Sequence, residues 1–438
     1  MVDITPLLGI EIRGYFEERI ARDVHDSLFA KSLVLDDGET KLAIVVCDLL
    51  GAGRTYLDKA KELIRERCGI PHSNVLISCT HTHTGPSIED MGYGDILVRK
   101  ISDSVQLADS RLTEAEIGYG REREEKTVGN RRFLMKDGTV RTHPRLKDPG
   151  IIAPEGPVDP EIGVFVVRKV EGKTLCVLGN YAAHYAGLSP TEKREDMYTI
   201  SADYCGAFSE MIQRLRGERF VAILANGACA DVMTFDPRNP HGKATAFFGH
   251  AWRVGGLLAA KAFWAWNEME FCDSAKLAAA IDDLAIPRRM PTDTEIELAR
   301  KYVSGKAAPA NMRHRAWKNF YGPRIEEYAE APREVKTWVQ VLAIGDLAIV
   351  GLPGEIFVEH GLRIKRESPF KYTFIFELAN DSVGYVPTLK AFEEDTRLPI
   401  EASGSYETTI GPNQLVPEAG NIMVESALKM LDRVHDST

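Results

Sequence analysis

Asn74-Val75-Leu76-Ile77-Ser78-Cys79-Thr80-His81-Thr82-His83-Thr84-Gly85-Pro86 carries an apolar run straight into two histidines two positions apart. The run predicts a buried strand, and Gly85-Pro86 stops it. In extended backbone, residues i and i+2 point to the same side, so both imidazoles reach one small volume. That volume lies at the carboxyl end of a strand, where open α/β sheets keep their sites. Either one histidine ligates a metal while its neighbour touches a substrate, or both ligate, or the pair is simply hydrogen-bonded at a strand end.

Working outward, Leu42-Ala43-Ile44-Val45-Val46-Cys47-Asp48 is apolar on both faces, as a central strand is. Asp36-Asp37-Gly38-Glu39 before it marks a hairpin with Phe29 to Leu35. Tyr56 to Cys68 has helical spacing and ends at Gly69-Ile70-Pro71, so the histidine strand closes a β-α-β unit. The expected fold class is α/β, a layered domain with mixed central β-sheets flanked by helices. Asp95 to Glu116 predicts a long amphipathic helix, and residues 118–157 a long polar loop holding Asn130-Arg131-Arg132. A second hairpin, Ile162 to Val170 with Leu175 to Tyr181, runs into Ala182-Ala183-His184. Ser201-Ala202-Asp203 is an N-cap signal for a helix to Leu215. The helix from about Phe247 to Glu270, with Trp252 and Trp264, is apolar enough to be largely buried, and Thr292 to Arg333 is a charged helical excursion on the surface. No internal repeat is visible, and residues 1–438 are expected to form a single domain.

Composition excludes several function classes. A net charge of -10 argues against a nucleic-acid partner. No apolar run approaches the roughly 20 residues of a transmembrane helix, and the first residues lack a signal peptide's basic and apolar regions. Seven cysteines with no C-x-x-C suggest reduced thiols in a cytoplasmic protein. A small-molecule substrate is the expected partner, and a homo-oligomer stays open.

His81, His83, His184, Glu355 and Tyr385 each follow a buried run beside a Gly, a Pro or a sharp change of element. Two histidines, a carboxylate and one further oxygen suit zinc in a site that keeps room for water. Each residue has a plainer reading: Glu355 as a cap of the helix it opens, Tyr385 as a core tyrosine, and Arg131 as a loop arginine in an ion pair.

Thr80-His81-Thr82-His83-Thr84-Gly85-Pro86, His184, Pro353-Gly354-Glu355 and Gly384-Tyr385-Val386-Pro387-Thr388 resemble, in order, the signatures of the neutral/alkaline ceramidases. Gly14-Tyr15, Asp48-Leu49-Leu50-Gly51, Asn130-Arg131 and Ser201-Ala202-Asp203-Tyr204 fit as well. The resemblance covers the family's N-terminal catalytic domain. The C-terminal immunoglobulin-like domain of that family has no counterpart in this sequence. It implies a zinc site of His81, His184, Glu355 and Tyr385, with His83 and Arg131 facing the scissile carbonyl. Asp203 is a candidate for orienting a ligand histidine.

The chain departs from the family at the centre of the chemistry. Met233 in Ala230-Asp231-Val232-Met233-Thr234 stands where ceramidases carry a nucleophilic serine, and Ile400 in Ile400-Glu401-Ala402-Ser403 replaces a tyrosine. Tyr406 is a candidate substitute from a displaced position, and its role is left open. The expected function is therefore a ceramidase-like zinc hydrolase that cleaves an amide or ester with metal-activated water. The alternatives are a metal-dependent hydrolase or lyase acting on a sugar or polyol derivative, and an inactive metal-containing binding protein. A methionine cannot form an acyl-enzyme, so mass spectrometry during turnover should find no substrate acyl mass on any residue. Acyl mass on Thr234 or Cys229 would refute this.

Overall fold

A computed structural model describes residues 1–186, 197–238, 248–306, 317–395 and 405–436. Ile400 to Ser403 and the middle of the Thr292–Arg333 excursion lie outside the described residues. Three mixed sheets form the centre. The first runs β1 (Val2–Asp3), β2 (Phe29–Asp36), β3 (Lys41–Cys47) and β4 (Val75–Cys79) in that order. The second contains β5 (Ala115–Arg123), β6 (Glu161–Lys169), β7 (Thr174–Tyr181), β8 (Val221–Asn226) and β9 (Phe271–Cys272), in the order β8-β7-β6-β5-β9. The third is β10 (Leu277–Pro287), β11 (Glu334–Ile344), β12 (Leu347–Gly351) and β13 (Tyr372–Phe376).

Each sheet contains the same course of chain. An antiparallel hairpin is followed by a helix, and then by a strand parallel to the hairpin's second member. In the first sheet β2 and β3 are antiparallel, α1 (Arg54–Cys68) crosses over, and β4 returns parallel to β3. In the second, β6 and β7 precede α3 (Asp203–Arg216) and β8, with α2 (Tyr93–Asp109) earlier in the chain. In the third, β11 and β12 precede α7 (Val358–Glu367) and β13. The sequence shows no repeat because it is the order of elements that recurs. Parallel pairing buried on both faces asks only for β-branched and apolar runs, which many sequences satisfy.

Alternate residues of the strands explain the layers. Ile44, Leu178, Leu342 and Ile349, one or more from each sheet, meet in one central cluster. The opposite faces are covered by helices: α1 and α2 on the first sheet, and α3 with α4 (Gly249–Asn267) on the second. α8 (Ala419–His435) and α7 cover the third. α1 stops at Gly69, whose left-handed φ of 70° lets its N–H cap the Arg65 carbonyl.

Three sequence expectations need correction. The helix expected over Asp95 to Glu116 ends at Asp109, and Ala115–Arg123 is β5. The polar loop expected over 118–157 holds the end of β5 and a small sheet of Arg132–Met135, Val140–Thr142 and Ile151–Pro154. Glu and Arg alternate along β5 because its side chains are half exposed, so strand propensity is masked. In α4 Trp264 is 65% exposed, so that helix is amphipathic on at least one face. The excursion contains α5 (Asp293–Val303), a π-turn over Trp317–Tyr321, and α6 (Gly322–Glu330). Its aromatic cluster includes Tyr302, Tyr321 and Tyr328 and packs on Phe16 and Tyr406.

No helix among the described residues is long and apolar enough to cross a membrane. All seven cysteines are free, five of them buried.

Lys61 of α1 supplies a stability test. Its ammonium is fully buried with no hydrogen-bond partner among the described residues, 4.2 Å from the centre of the Trp338 ring. Burial pushes its pKa down to about 7, against roughly 10.4 in an unfolded chain. The folded state therefore binds fewer protons than the unfolded one between these values, and stability rises with pH across that window. Lys61→Met should be more stable at pH 7 by up to roughly 4 kcal/mol, with the difference closing toward pH 10. Urea denaturation of both proteins at pH 7 and pH 9.5 checks this.

Candidate metal centre

The ends of the three hairpin-helix-strand units meet at one place. His81 lies just past β4, His184 just past β7, and Glu355 just past β12. His81 is held with φ of 60°, a left-handed conformation that is costly for a residue with a Cβ. Its ring Nδ1 lies 2.8 Å from the Leu50 carbonyl, which only accepts, so Nδ1 carries the proton and Nε2 presents a lone pair. That Nε2 is 3.2 Å from His184 Nε2, 3.2 Å from His83 Nε2 and 3.4 Å from Glu355 Oε2.

His184 Nε2 also presents a lone pair. It lies 3.3 Å from Nη1 of Arg131, a group that can only donate. Two such nitrogens cannot hydrogen-bond each other. Tetrahedral ligands at about 2.0–2.1 Å from a zinc ion stand roughly 3.3 Å apart, which matches the observed separation. Glu355 Oε2 is buried and without a hydrogen-bond partner. A divalent cation therefore fits this donor set. Among the described residues, His81, His83 and His184 form a potential metal-holding group whose ligand atoms lie within 4.8 Å of one another.

Protonation agrees. Burial, reinforced by neighbouring positive groups, holds His83 and His184 well below the usual imidazole range, so both are neutral, as a ligand must be. Burial also opposes charging of His81, but the Glu355 carboxylate outweighs it and shifts that ring upward. Burial and the Glu355 charge push the Tyr385 phenol well above its ordinary value. A ligand role for Tyr385 therefore needs the cation itself to draw off the proton.

Backbone pairing aims the rest. Glu355–Ile356 and Tyr385–Val386 form a two-residue parallel ladder with Glu355 opposite Tyr385. The Val358 N–H at the start of α7 is taken by Asp231 Oδ1 at 2.8 Å, so Asp231 fills the capping role that Glu355 was free to have. Asp231 Oδ2 accepts from Asn130 at 3.0 Å, while the Asp231 carbonyl accepts the Arg131 N–H at 2.7 Å. Arg131 is fully buried, its Nε 3.1 Å from Glu407 and its Nη2 3.3 Å from the Tyr385 hydroxyl. Arg131 thus makes the ion pair of its plainer reading and also lies against His184 and Tyr385.

His83 stacks on Tyr185 at 3.5 Å between ring centres and meets Tyr15 edge-on at 5.6 Å. Gly14 leaves room for it, since a Cβ there would meet His83 Cγ at 2.6 Å. Asp203 Oδ1 accepts from the Ala186 and Tyr204 N–H groups, tying the chain after His184 to the start of α3. Met233 is buried in the ladder Val232–Met233 against Gly129–Asn130. The Thr234 hydroxyl is 3.1 Å from His250 Nε2. The Cys229 thiol lies 2.9 Å from Glu377, and burial pushes it well above its ordinary pKa, so it is no thiolate nucleophile.

All six site residues expected from sequence are brought together. The sequence reasoning missed Glu407 and Glu377. Glu407 gave no local signal, because only the burial of Arg131 and Arg132 demands it. Glu377 did give one, as a carboxylate closing the buried run Tyr372 to Phe376. Tyr406 lies beside Tyr385, its hydroxyl 3.3 Å from that of Tyr385.

No family model matches the sequence. Among solved structures, the neutral ceramidase from Pseudomonas aeruginosa superposes with a TM-score of 0.74 and 19% identity, over 99% of this chain and 74% of that one. A structure described as ceramidase complexed with C2 gives 0.73 and 19%, over 100% of this chain and 74% of that one. The chain has the fold of these ceramidases, as the sequence resemblance implied.

The metal assignment is testable by elemental analysis and by melting with and without zinc. His81→Ala and His184→Ala should each lose the metal and the zinc-dependent rise in melting temperature. His83→Ala should keep both if its ring faces the substrate, and lose them to the extent of His81→Ala if it is a third nitrogen ligand.

Proposed function

We propose that this protein is a ceramidase-like, zinc-dependent hydrolase of an amide or ester bond in a small substrate. The observation that carries the reading is the meeting of two lone-pair nitrogens, His81 Nε2 and His184 Nε2, with the unpartnered Glu355 oxygen beside a buried arginine. His81, His184, Glu355 and Tyr385 would hold the ion. When bound, such an ion supplies a Lewis acid and brings the pKa of its water toward about 7.

The remaining work belongs to the chain's own side chains. Against the penalty of burial, the Glu407 carboxylate 3.1 Å from its Nε keeps Arg131 charged. Its Nη groups are donors for the oxyanion that develops as a carbonyl is attacked. Neutral His83 beside it accepts a proton from the attacking group or passes one to the leaving group. Tyr15 and Tyr185 brace that ring and form an aromatic flank to the site. The same flank favours, as a second reading, a sugar or polyol derivative laid against the tyrosine faces. An inactive binding protein accounts for neither Arg131 nor His83. The free cysteines fit a cytoplasmic setting. We take residues 1–438 as one catalytic domain.

Zinc-loaded protein screened against short N-acyl amines, esters and acylated polyols tests the assignment. Hydrolysis is expected, with a rate that rises with pH to a plateau. Arg131→Ala should retain zinc and lose roughly a hundredfold or more in turnover. Turnover confined to sugar or polyol substrates would move the assignment to the second reading. Folded, zinc-loaded protein inert to every class would refute both.

A further inference from the structure

Beside the ligand atoms lies a carboxylate that the proposed chemistry does not use. Glu377 follows β13 and is fully buried. Its Oε1 accepts from Cys229 Sγ at 2.9 Å and from Asn226 Nδ2 at 3.4 Å. Its Oε2 accepts from two backbone N–H groups, Cys229 at 3.2 Å and Ile356 at 3.1 Å. Three of these four partners can only donate, and the fourth, a thiol sulfur, is a weak acceptor. A protonated carboxyl would have to place its own hydrogen among four donors, so the cage selects the ionised form. Burial works the other way, pushing the group up to about 7.

The charged neighbours that act most strongly on Glu377 are His81 and Glu355, the imidazole favouring its ionised form and the carboxylate opposing it. Two buried carboxylates served by one histidine leave negative charge that a cation would compensate. Among the described residues, the nearby potential cation-holding group is that of His81, His83 and His184, with Glu355 Oε2 3.4 Å from His81 Nε2.

Glu377 is also a clamp. The Ile356 N–H it holds belongs to the residue directly after Glu355. The Cys229 N–H it holds begins the turn in which Ala230 N–H bonds the Ile356 carbonyl at 3.0 Å and Asp231 bonds Arg131. One carboxylate therefore fixes the backbone behind both Glu355 and Arg131.

We infer that Glu377 is a positioning residue for a divalent cation: it locks the Glu355 backbone and supplies a buried negative charge that the ion balances. This rests on His81, His184 and Glu355 being ligands of that ion. The test is zinc affinity by competition with a chromophoric chelator, with melting of metal-free and zinc-loaded protein, for wild type, Glu377→Gln and Glu377→Asp. Glu377→Gln keeps the shape but loses the charge and should bind zinc at least about tenfold more weakly. Its amide NH2 also faces donors, so the metal-free form should melt lower too, but by less than the zinc-loaded form, because only the latter also loses the charge that the ion balances. Glu377→Asp keeps the charge but is too short to hold both backbone groups, and should also bind about tenfold more weakly. Wild-type affinity in either variant overturns the inference. So does a loss of melting temperature in Glu377→Gln that is equal with and without zinc, which is the mark of a purely structural residue. A wild-type protein that binds no zinc overturns the ligand assignment itself.

Discussion

The hydrogen bond from His81 Nδ1–H to the Leu50 carbonyl is small, but the logic of the site depends on it. It fixes the tautomer, and so leaves a lone pair on Nε2 aimed at His184 and Glu355. Three electron-rich atoms thus crowd together with no proton between the two nitrogens. With His81 neutral, that arrangement repels itself in the bare protein, and the Glu355 carboxylate draws a proton or a cation to it. A cation reverses the sign of every one of those interactions. The left-handed backbone at His81 is a strain consistent with the same demand, because the ring must leave β4 at an angle that reaches both the Leu50 carbonyl and the centre.

The fold makes this crowding possible by bringing strand ends together. Each sheet contributes a hairpin, a crossover helix and a parallel strand, and the polar residues follow the parallel-paired strands. The units are also stitched side by side at those ends. Asn380 Oδ1 takes the Ile77 N–H, and its own N–H bonds the Ile77 carbonyl, joining the third unit to the first. Asn180 does the same toward Ile375, joining the second to the third. Buried asparagines satisfying strand-end backbone on a neighbouring sheet leave little freedom for one ligand to drift from the others.

Legibility in the sequence followed this division. Strands such as β3 and β4 were visible as unbroken apolar runs, and the histidines and Glu355 as polar residues where those runs stopped. β5 was hidden, because a half-exposed strand rich in Glu and Arg has the composition of a loop. Arg131 was visible only through the family resemblance, and its partner Glu407 was not visible at all, since the two are 276 positions apart in the chain. Pairings of that kind come from tertiary folding and leave no local pattern. Glu377 lay in plain view at the end of a buried run, but four competing strand-end residues already made a complete ligand set. What distinguishes Glu377 is its cage of donors, which is a three-dimensional fact.

The turn holding Met233 shows how the side chain at one position can be independent of the site's architecture. The backbone of that turn is occupied: the Val232 carbonyl takes the His184 N–H, and the Asp231 carbonyl takes that of Arg131. The Asp231 carboxylate caps α7, the helix that follows Glu355. None of these bonds involves the side chain at 233. Replacing that side chain therefore leaves His184, Arg131 and Glu355 where they are. Thr234, engaged with His250, and Cys229, protonated against Glu377, do not take its place. On the reading proposed above, Arg131 and His83 are the groups directed at a reacting carbonyl. Both act on charge and protons, and neither needs a covalent intermediate, so that reading suits direct attack by water.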